Sequence, residues 1–350
     1  MRQKPKTFLL RFVLVVSSLL VGVLLAEGLT RVFFPHLAPR TARLTKFWQY
    51  DPRYGWSHQP GVRGTFDSFG IQTAVTINDR GFRGPEIAYD RAPQRRRILV
   101  LGDSYVWGYG VNDEEVFTER LRQLRPEVEI VNLGVSGYST DQELLLYGDE
   151  GYKYQADEVI LVLTENDFIG NLLTQQYVIY GKPAFQRQDG GLTLINQPVP
   201  PTPWWKHVVA QVAAQSYVLT AANRYLYSRA IAKTVASGTS ADAVPISARP
   251  FPRTPEQDLA ARLLIQLQQE IATRQGGGQG GSKLLVVCTE DVTGSRELVE
   301  YLATRGIAGL DLKQFMEAKD KSIHLTNDTH WNAEGHKRVA EILAQHLGSS

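Results

Sequence analysis

Four short, largely apolar runs constrain the fold of this chain more than any other feature. They are Ile98-Leu99-Val100-Leu101, Val128–Leu133, Val159–Leu163 and Leu284–Cys288. Runs this short suit strands, and the continuous run Ile98–Leu101 reads as a strand buried on both faces, as in parallel sheets. Helical patterns fall between them. Asp113-Glu114-Glu115 sets negative charge at a helix start, ahead of the apolar positions Val116, Phe117, Leu121 and Leu124. Thr140 and Glu143 have the spacing of a capping box. Thr254-Pro255-Glu256 opens a helix that runs to about Arg274, with Thr as cap and Pro at the first helical position. A helix near Ser295–Arg305 follows, and a last helix, about Asn332–Leu347, carries Val339, Ile342, Leu343 and Leu347 on one face. Strands alternating with helices predict an α/β fold with a parallel sheet covered on both sides.

Composition removes several classes. With 38 Lys+Arg against 36 Asp+Glu, the chain lacks the basic excess of a general nucleic-acid binder. Its 43% hydrophobic content supplies a packed core. The single cysteine, Cys288, excludes an intrachain disulfide framework and reads as a small core residue of its strand.

The N-terminus differs from everything after it. Arg2, Lys4 and Lys6 precede an apolar stretch from Phe8 to Ala26 whose one charge is Arg11. About 20 apolar residues cross a bilayer as a helix, and an Arg near the end can snorkel. A cleavable signal peptide wants a shorter apolar region and small residues three apart at the cut, which Leu24-Leu25-Ala26 fits badly. The reading is an uncleaved anchor with a cytoplasmic N-terminus and an exported body. Residues 1–35 are then tail and anchor, and 36–96 a lead-in with short strands, including Ala74–Ile77 before the turn Asn78–Gly81. Residues 97–350 form the main α/β domain, with an insert at about 171–253. In the lead-in, Arg83 reads as a solvated Arg in a turn, and Arg95-Arg96-Arg97 as an exposed run before a strand. The insert holds Trp204-Trp205, which is read either as lining the cleft, as a core pair or as a membrane-interface pair. Gly276–Ser282 is a flexible loop whose glycines match a dinucleotide fingerprint only formally, because they precede a strand.

Three polar motifs sit just past the carboxyl ends of predicted strands: Gly102-Asp103-Ser104, Gly134, and Glu165-Asn166-Asp167. Ligands of open α/β sheets bind at that edge. Each motif alone is ordinary turn chemistry. Together they bring Ser104, Gly134 and Asn166 to one crevice if the strands are adjacent. Near the C-terminal helix, Asn327-Asp328-Thr329-His330-Trp331 places a carboxylate two residues before an imidazole. Such a carboxylate can orient the ring, and the ring can take a proton from a serine. His324, His330, His336 and Asp328 match no common zinc spacing, so no metal is expected.

In these four ordered blocks the chain resembles the SGNH/GDSL hydrolase superfamily over about residues 97–347, the insert excepted. The resemblance implies a three-layer α/β/α sandwich with a flavodoxin-like parallel sheet. It implies Ser104 as nucleophile, His330 as general base, and an oxyanion hole of the Ser104 N–H, Gly134 and Asn166, with Asp103 and Asp167 in support. Two positions depart from the family pattern. Thr164 stands where the third block has Gly. Asn327 stands three before His330, where the family places its Asp, so Asp328 is assigned as orienter with Asn327 as the lesser option. The Asp-x-His-Trp spacing is similar to membrane-associated alginate acetyltransferase-like proteins, in which the pair precedes the serine instead of following it. No Gly-x-Ser-x-Gly elbow is present. The expectation is a membrane-anchored, extracytoplasmic serine esterase acting on small-molecule, glycan or lipid esters, O-acetyl esters among them, without cofactor or nucleic acid. An O-acyltransferase of an envelope glycan and an inactive glycan-binding module are the alternatives.

Overall fold

The computed structural model describes residues 5–34, 46–68, 70–91, 94–176, 180–188, 191–213, 215–238, 251–274, 283–326 and 328–348. The loop Gly276–Ser282 and Asn327 lie outside the described residues. In chain order, helix α1 (Pro5–Phe33) precedes two hairpins, β1 (Trp48–Asp51) with β2 (Gly55–His58) and β3 (Arg63–Ser68) with β4 (Ile71–Thr76). Then come β5 (Arg96–Gly102), α2 (Ser104–Trp107), α3 (Phe117–Leu124), β6 (Val128–Asn132), α4 (Thr140–Asp149), β7 (Glu158–Leu163) and α5 (Glu165–Gly170). Two small hairpins follow, β8 (Gln175–Gln176) with β9 (Tyr180–Gly181) and β10 (Ala184–Gln188) with β11 (Gly191–Ile195). The chain continues through α6 (Trp204–Ala213), α7 (Tyr217–Gly238), α8 (Pro255–Arg274), β12 (Lys283–Cys288), α9 (Ser295–Ala303), β13 (Ala308–Asp311) and α10 (Ala333–Gly348).

The chain divides into two units, Met1–Ala42 with Thr202–Lys233, and Arg43–Pro201 with Thr234–Ser350. The second unit is built on a parallel five-stranded sheet in the order β13-β12-β7-β5-β6. Numbered by their sequence among themselves, these strands run 2-1-3-4-5 across the sheet, the flavodoxin-like order that puts its crevice between strands one and three. Here those are β5 and β7, which pair directly.

Strand residues alternate strictly between two apolar cores. Leu99, Leu101, Leu161, Val286 and Cys288 face one layer with Leu263 and Leu267 of α8 and Leu298 of α9. Ile98, Val100, Ile160, Val162 and Val287 face the other, with Phe117 and Leu121 of α3 and Val339 and Leu343 of α10. The result is the expected α/β/α sandwich. The fifth strand, β13, has no counterpart in the sequence reading. It is an edge strand, Ala-Gly-Leu-Asp, with one large apolar residue, so it carries no continuous apolar run.

Three local expectations are corrected. The cap of α4 is Ser139 with Gln142, one residue before Thr140 and Glu143, and Glu143 is buried inside the helix packing. Arg97 is buried beside Glu129 at 2.8 Å, not exposed. Arg83 is buried as well. The lead-in is part of the main core: Trp48 lies 5.0 Å and Phe66 5.2 Å, centroid to centroid, from Trp107 of α2.

Candidate active site

Ser104 is the first residue of α2, immediately beyond the carboxyl end of β5. Asp103 caps that helix by accepting the Tyr105 N–H, and Gly108 closes it in the left-handed region at φ 86°. A Cβ on Gly108 would come within 2.5 Å of Val116 Cγ2, so only glycine fits this turn. Arg83 fixes the same turn from below. Its Nη1 donates to the carbonyls of Trp107 (3.1 Å) and Gly108 (2.6 Å), its Nη2 to Ala74 (3.0 Å) and Val111 (2.8 Å), and its Nε to Asp113 (2.7 Å). A single planar fork thus satisfies four carbonyls around the serine helix.

Asp328 and His330 come from a loop closed by the antiparallel bridge His324–Trp331 and the Leu325 N–H to His330 carbonyl bond. Asn332 ends the loop by capping α10, accepting the N–H groups of Glu334 and Gly335. The imidazole Nε2 lies 2.7 Å from Ser104 Oγ, and Nδ1 lies 2.5 Å from Asp328 Oδ1. Because a carboxylate only accepts, the Nδ1 proton is held there, which leaves Nε2 as acceptor for the serine hydroxyl. The ring is flanked by Tyr109 at 4.5 Å and Tyr105 at 5.0 Å between centroids, and Tyr105 Oη donates to the Thr329 carbonyl. Sequence reasoning gave neither tyrosine a role: Tyr105 follows Ser104 directly in the motif and Tyr109 lies five residues on.

Asn166 reaches the same place from the start of α5, beyond β7. Its Nδ2 donates to Asp103 Oδ2 at 2.9 Å, which uses one of its two hydrogens. Thr164 caps α5 reciprocally with Asp167. Its hydroxyl also lies 3.2 Å from Asp103 Oδ2 and contacts Asn166 Oδ1. Asp103 is therefore the node that joins Ser104, Thr164 and Asn166. The backbone N–H of Ser104 has no acceptor among the described residues.

Gly134 differs from its expected part. Its N–H donates to Asn132 Oδ1 at 2.8 Å, and Asn132 Nδ2 is tied to the Val106 carbonyl and Thr118 Oγ1. A Cβ at position 134 would meet Trp107 N at 2.5 Å and the Val106 carbonyl carbon at 2.7 Å. In this structure Gly134 is the close-packing contact between the end of β6 and the serine helix.

Beneath the site lie Asp167 and Glu143, both buried, and the buried ion pair of Asp141 with Lys182. Burial, reinforced by neighbouring carboxylates, holds the carboxyls of Glu143 and Asp167 well above the usual range. Among the described residues neither oxygen of Glu143 has a hydrogen-bond partner, so its neutral form is the one this site accommodates.

Glu290, just past β12, accepts Trp331 Nε1–H at 2.8 Å and His324 Nε2–H at 2.8 Å, while His324 Nδ1 faces the Asp320 carbonyl at 2.7 Å. Both partners of the His324 ring are acceptors, which fits the doubly protonated ring, and the Glu290 bond raises its pKa. The polar Thr289-Glu290-Asp291 follows a predicted strand at the same sheet edge as the other motifs, a signal that could have found it. His336 is buried elsewhere, with Nδ1 accepting the Phe117 N–H at 3.2 Å. Among the described residues no group of three or more His, Cys, Asp or Glu side chains could hold a metal ion.

No family model and no curated protein matches the chain. Among solved structures it is similar to a lipase from a goat rumen metagenome, at 14% identity and a TM-score of 0.40, covering 71% of this chain and 96% of that one. It is also similar to a lipase/acylhydrolase from Enterococcus faecalis, at 13% identity and a TM-score of 0.38, covering 72% of this chain and 95% of that one. A GDSL-like lipase from Bacteroides thetaiotaomicron is similar at 9% identity and a TM-score of 0.37, covering 75% of this chain and 92% of that one.

Proposed function

We propose that this protein is a serine esterase that cleaves carboxylic esters through an acyl-serine intermediate, held at a membrane by α1. The observation that carries the reading is the hydrogen-bonded chain Ser104–His330–Asp328, at 2.7 and 2.5 Å, at the crevice between β5 and β7. His330 Nε2 takes the Ser104 proton as Oγ adds to the ester carbonyl, and Asp328 stabilises the imidazolium. The tetrahedral oxyanion is met by the unengaged Ser104 N–H and by the second hydrogen of the Asn166 amide. Collapse expels the alcohol, which receives the proton from His330. Water, activated by the same imidazole, then releases the acid. Asp103 keeps the Asn166 amide facing this position.

For the anchor, Leu9–Phe33 supplies 25 residues of helix containing an 18-residue stretch of mean hydropathy 2.5 that is not buried. The full length of the helix exceeds what a bilayer requires. The basic flank favours a body on the extracytoplasmic side, where esters of envelope glycans or lipids are the available substrates.

The test is labelling of the full-length protein in detergent with a fluorophosphonate, alongside hydrolysis of p-nitrophenyl acetate. Wild type is labelled and turns over. Ser104→Ala loses both, His330→Ala loses roughly 10³-fold or more in kcat, and Asp328→Ala about as much. A folded wild-type protein that neither labels nor turns over would overturn the assignment in favour of a binding module.

A further inference from the structure

The first unit contains an apolar helix face that its own packing leaves uncovered. On α6, Trp204, Trp205, Val208, Val209 and Val212 recur at positions that fall within one arc of the helix, and every one of them is exposed, Trp204 to 77%. The charged Lys206 and the buried Ala213 lie on the other side of that helix, with Lys206 Nζ 5.9 Å from the Trp205 ring. A contiguous apolar face of this kind, bearing paired tryptophans, marks a contact surface.

Its position along the anchor is fixed by Glu27. From Phe12 to Ala26 the anchor carries no charge. Those residues span about 22 Å of helix, somewhat less than the hydrocarbon core, so the first charges on either side, Arg11 and Glu27, lie at its two boundaries. The Glu27 carboxylate accepts from Ser216 Oγ (2.8 Å), Tyr217 N (3.0 Å) and Val218 N (3.2 Å), and so caps α7 together with Ser216, whose Oγ accepts the Leu219 N–H at 3.1 Å. Arg31 adds a bond to Glu27 at 2.9 Å and lies over the Tyr217 ring at 5.3 Å. The α6–α7 corner is thereby held at the depth of the bilayer boundary, and the apolar face of α6 begins within a few residues of it.

We infer that α6 is an interfacial membrane helix: its Trp204–Val212 face lies in the headgroup and upper acyl region of the same bilayer that α1 crosses. Lipid is the occupant because the α6–α7 corner is tied to the anchor at the boundary, through Glu27 and Arg31, and every apolar residue of the face is exposed. It also carries tryptophans with a flanking lysine, the composition of a membrane interface. The inference rests on the anchoring reading, and its test separates the two.

Full-length protein carrying a single environment-sensitive dye, at Leu20→Cys, Val209→Cys or Glu300→Cys, is reconstituted into phosphatidylcholine–phosphatidylglycerol vesicles, with and without acyl-chain-brominated lipid. Cys288 is buried and does not compete for label in the folded protein. Glu300 is exposed on α9 and reports the water-facing background. Bromolipid is expected to lower emission at 20 and 209 by roughly twofold or more and to leave 300 unchanged. Quenching at 20 without quenching at 209 overturns the inference and leaves the anchor standing. A blue-shifted but unquenched dye at 209 also overturns it, because protein, not lipid, then covers the face. No quenching at either position removes the anchor and this inference together.

Discussion

At the scale of single residues, the site is decided by a few positions whose surroundings are tighter than their types suggest. Gly134 is one. Because a methyl group there would strike the backbone of Val106 and Trp107, Gly134→Ala is expected to push the serine helix off β6. The expected cost is about 1–3 kcal/mol of stability, with a larger proportional loss of kcat than of substrate affinity. Denaturant unfolding and steady-state kinetics read the two effects. Glu143 is another. Its raised carboxyl pKa means that the folded state holds a proton the unfolded chain releases above the ordinary carboxylate range. Stability is therefore unpenalised at acidic pH and falls as pH climbs past that range. Glu143→Gln keeps the neutral form at every pH. It should melt roughly 2–4 °C above wild type at pH 8 and level with it near pH 4. A variant less stable than wild type at pH 8 would show that the ionised carboxylate is the species the fold uses.

At the scale of elements, the loop from His324 to Trp331 is a clamp. Glu290 holds both of its ends through Trp331 and His324, and Asp291 adds negative charge nearby. A histidine whose folded pKa is raised contributes stability that is complete below its unfolded value near 6.5 and is lost as pH rises through the folded value. Glu290→Gln should therefore destabilise more at pH 5.5 than at pH 9. It should lower kcat about tenfold through a misplaced His330 while leaving Ser104 reactive to a small fluorophosphonate. A pH-independent loss would assign Glu290 to packing alone. The clamp also shows where sequence reading succeeds. Ile98–Leu101 and Leu284–Cys288 were legible as buried strands, and Asp328 and His330 as a pair, because each pattern is local. Arg83 was not legible. Its four carbonyl partners are brought together by the fold from Ala74 and from Trp107 to Val111. In the sequence it is one arginine in a turn. The true cap of α4 was missed because Ser139 and Thr140 are both good caps, and only the packing that buries Glu143 chooses between them.

At the scale of the whole molecule, buried histidines set an acid limit that the carboxyl and clamp effects balance from the alkaline side. Burial pushes His58 down to about 4 and His336 down to about 3. A lowered histidine pKa means the unfolded chain takes up protons that the folded one refuses, so stability falls as pH drops below about 6.5. Melting temperature should peak near neutrality. The His58→Asn/His336→Gln double variant should lose the acid shoulder between pH 6.5 and 4 more than it changes the value at pH 7.5. An unchanged acid limb would place the lability in other groups. Four strands of the sheet and the pairing of Asp328 with His330 were readable from patterns one element long. The lead-in's place in the core was not, because Trp48 and Phe66 find Trp107 only through long-range packing.

Ser104 and His330 are 226 positions apart in the chain, and the loop that presents His330 is closed by Asn332 capping α10. Long-range pairings of this kind form late in folding. On the proposed roles, Ser104 is therefore synthesised long before its base, and a chain stalled before residue 330 carries a serine with no imidazole beside it. The proposed site is then born inert. Its proposed reactivity waits on the docking of α10. Stalled chains of increasing length, probed with fluorophosphonate, should stay unlabelled until that helix is free to pack.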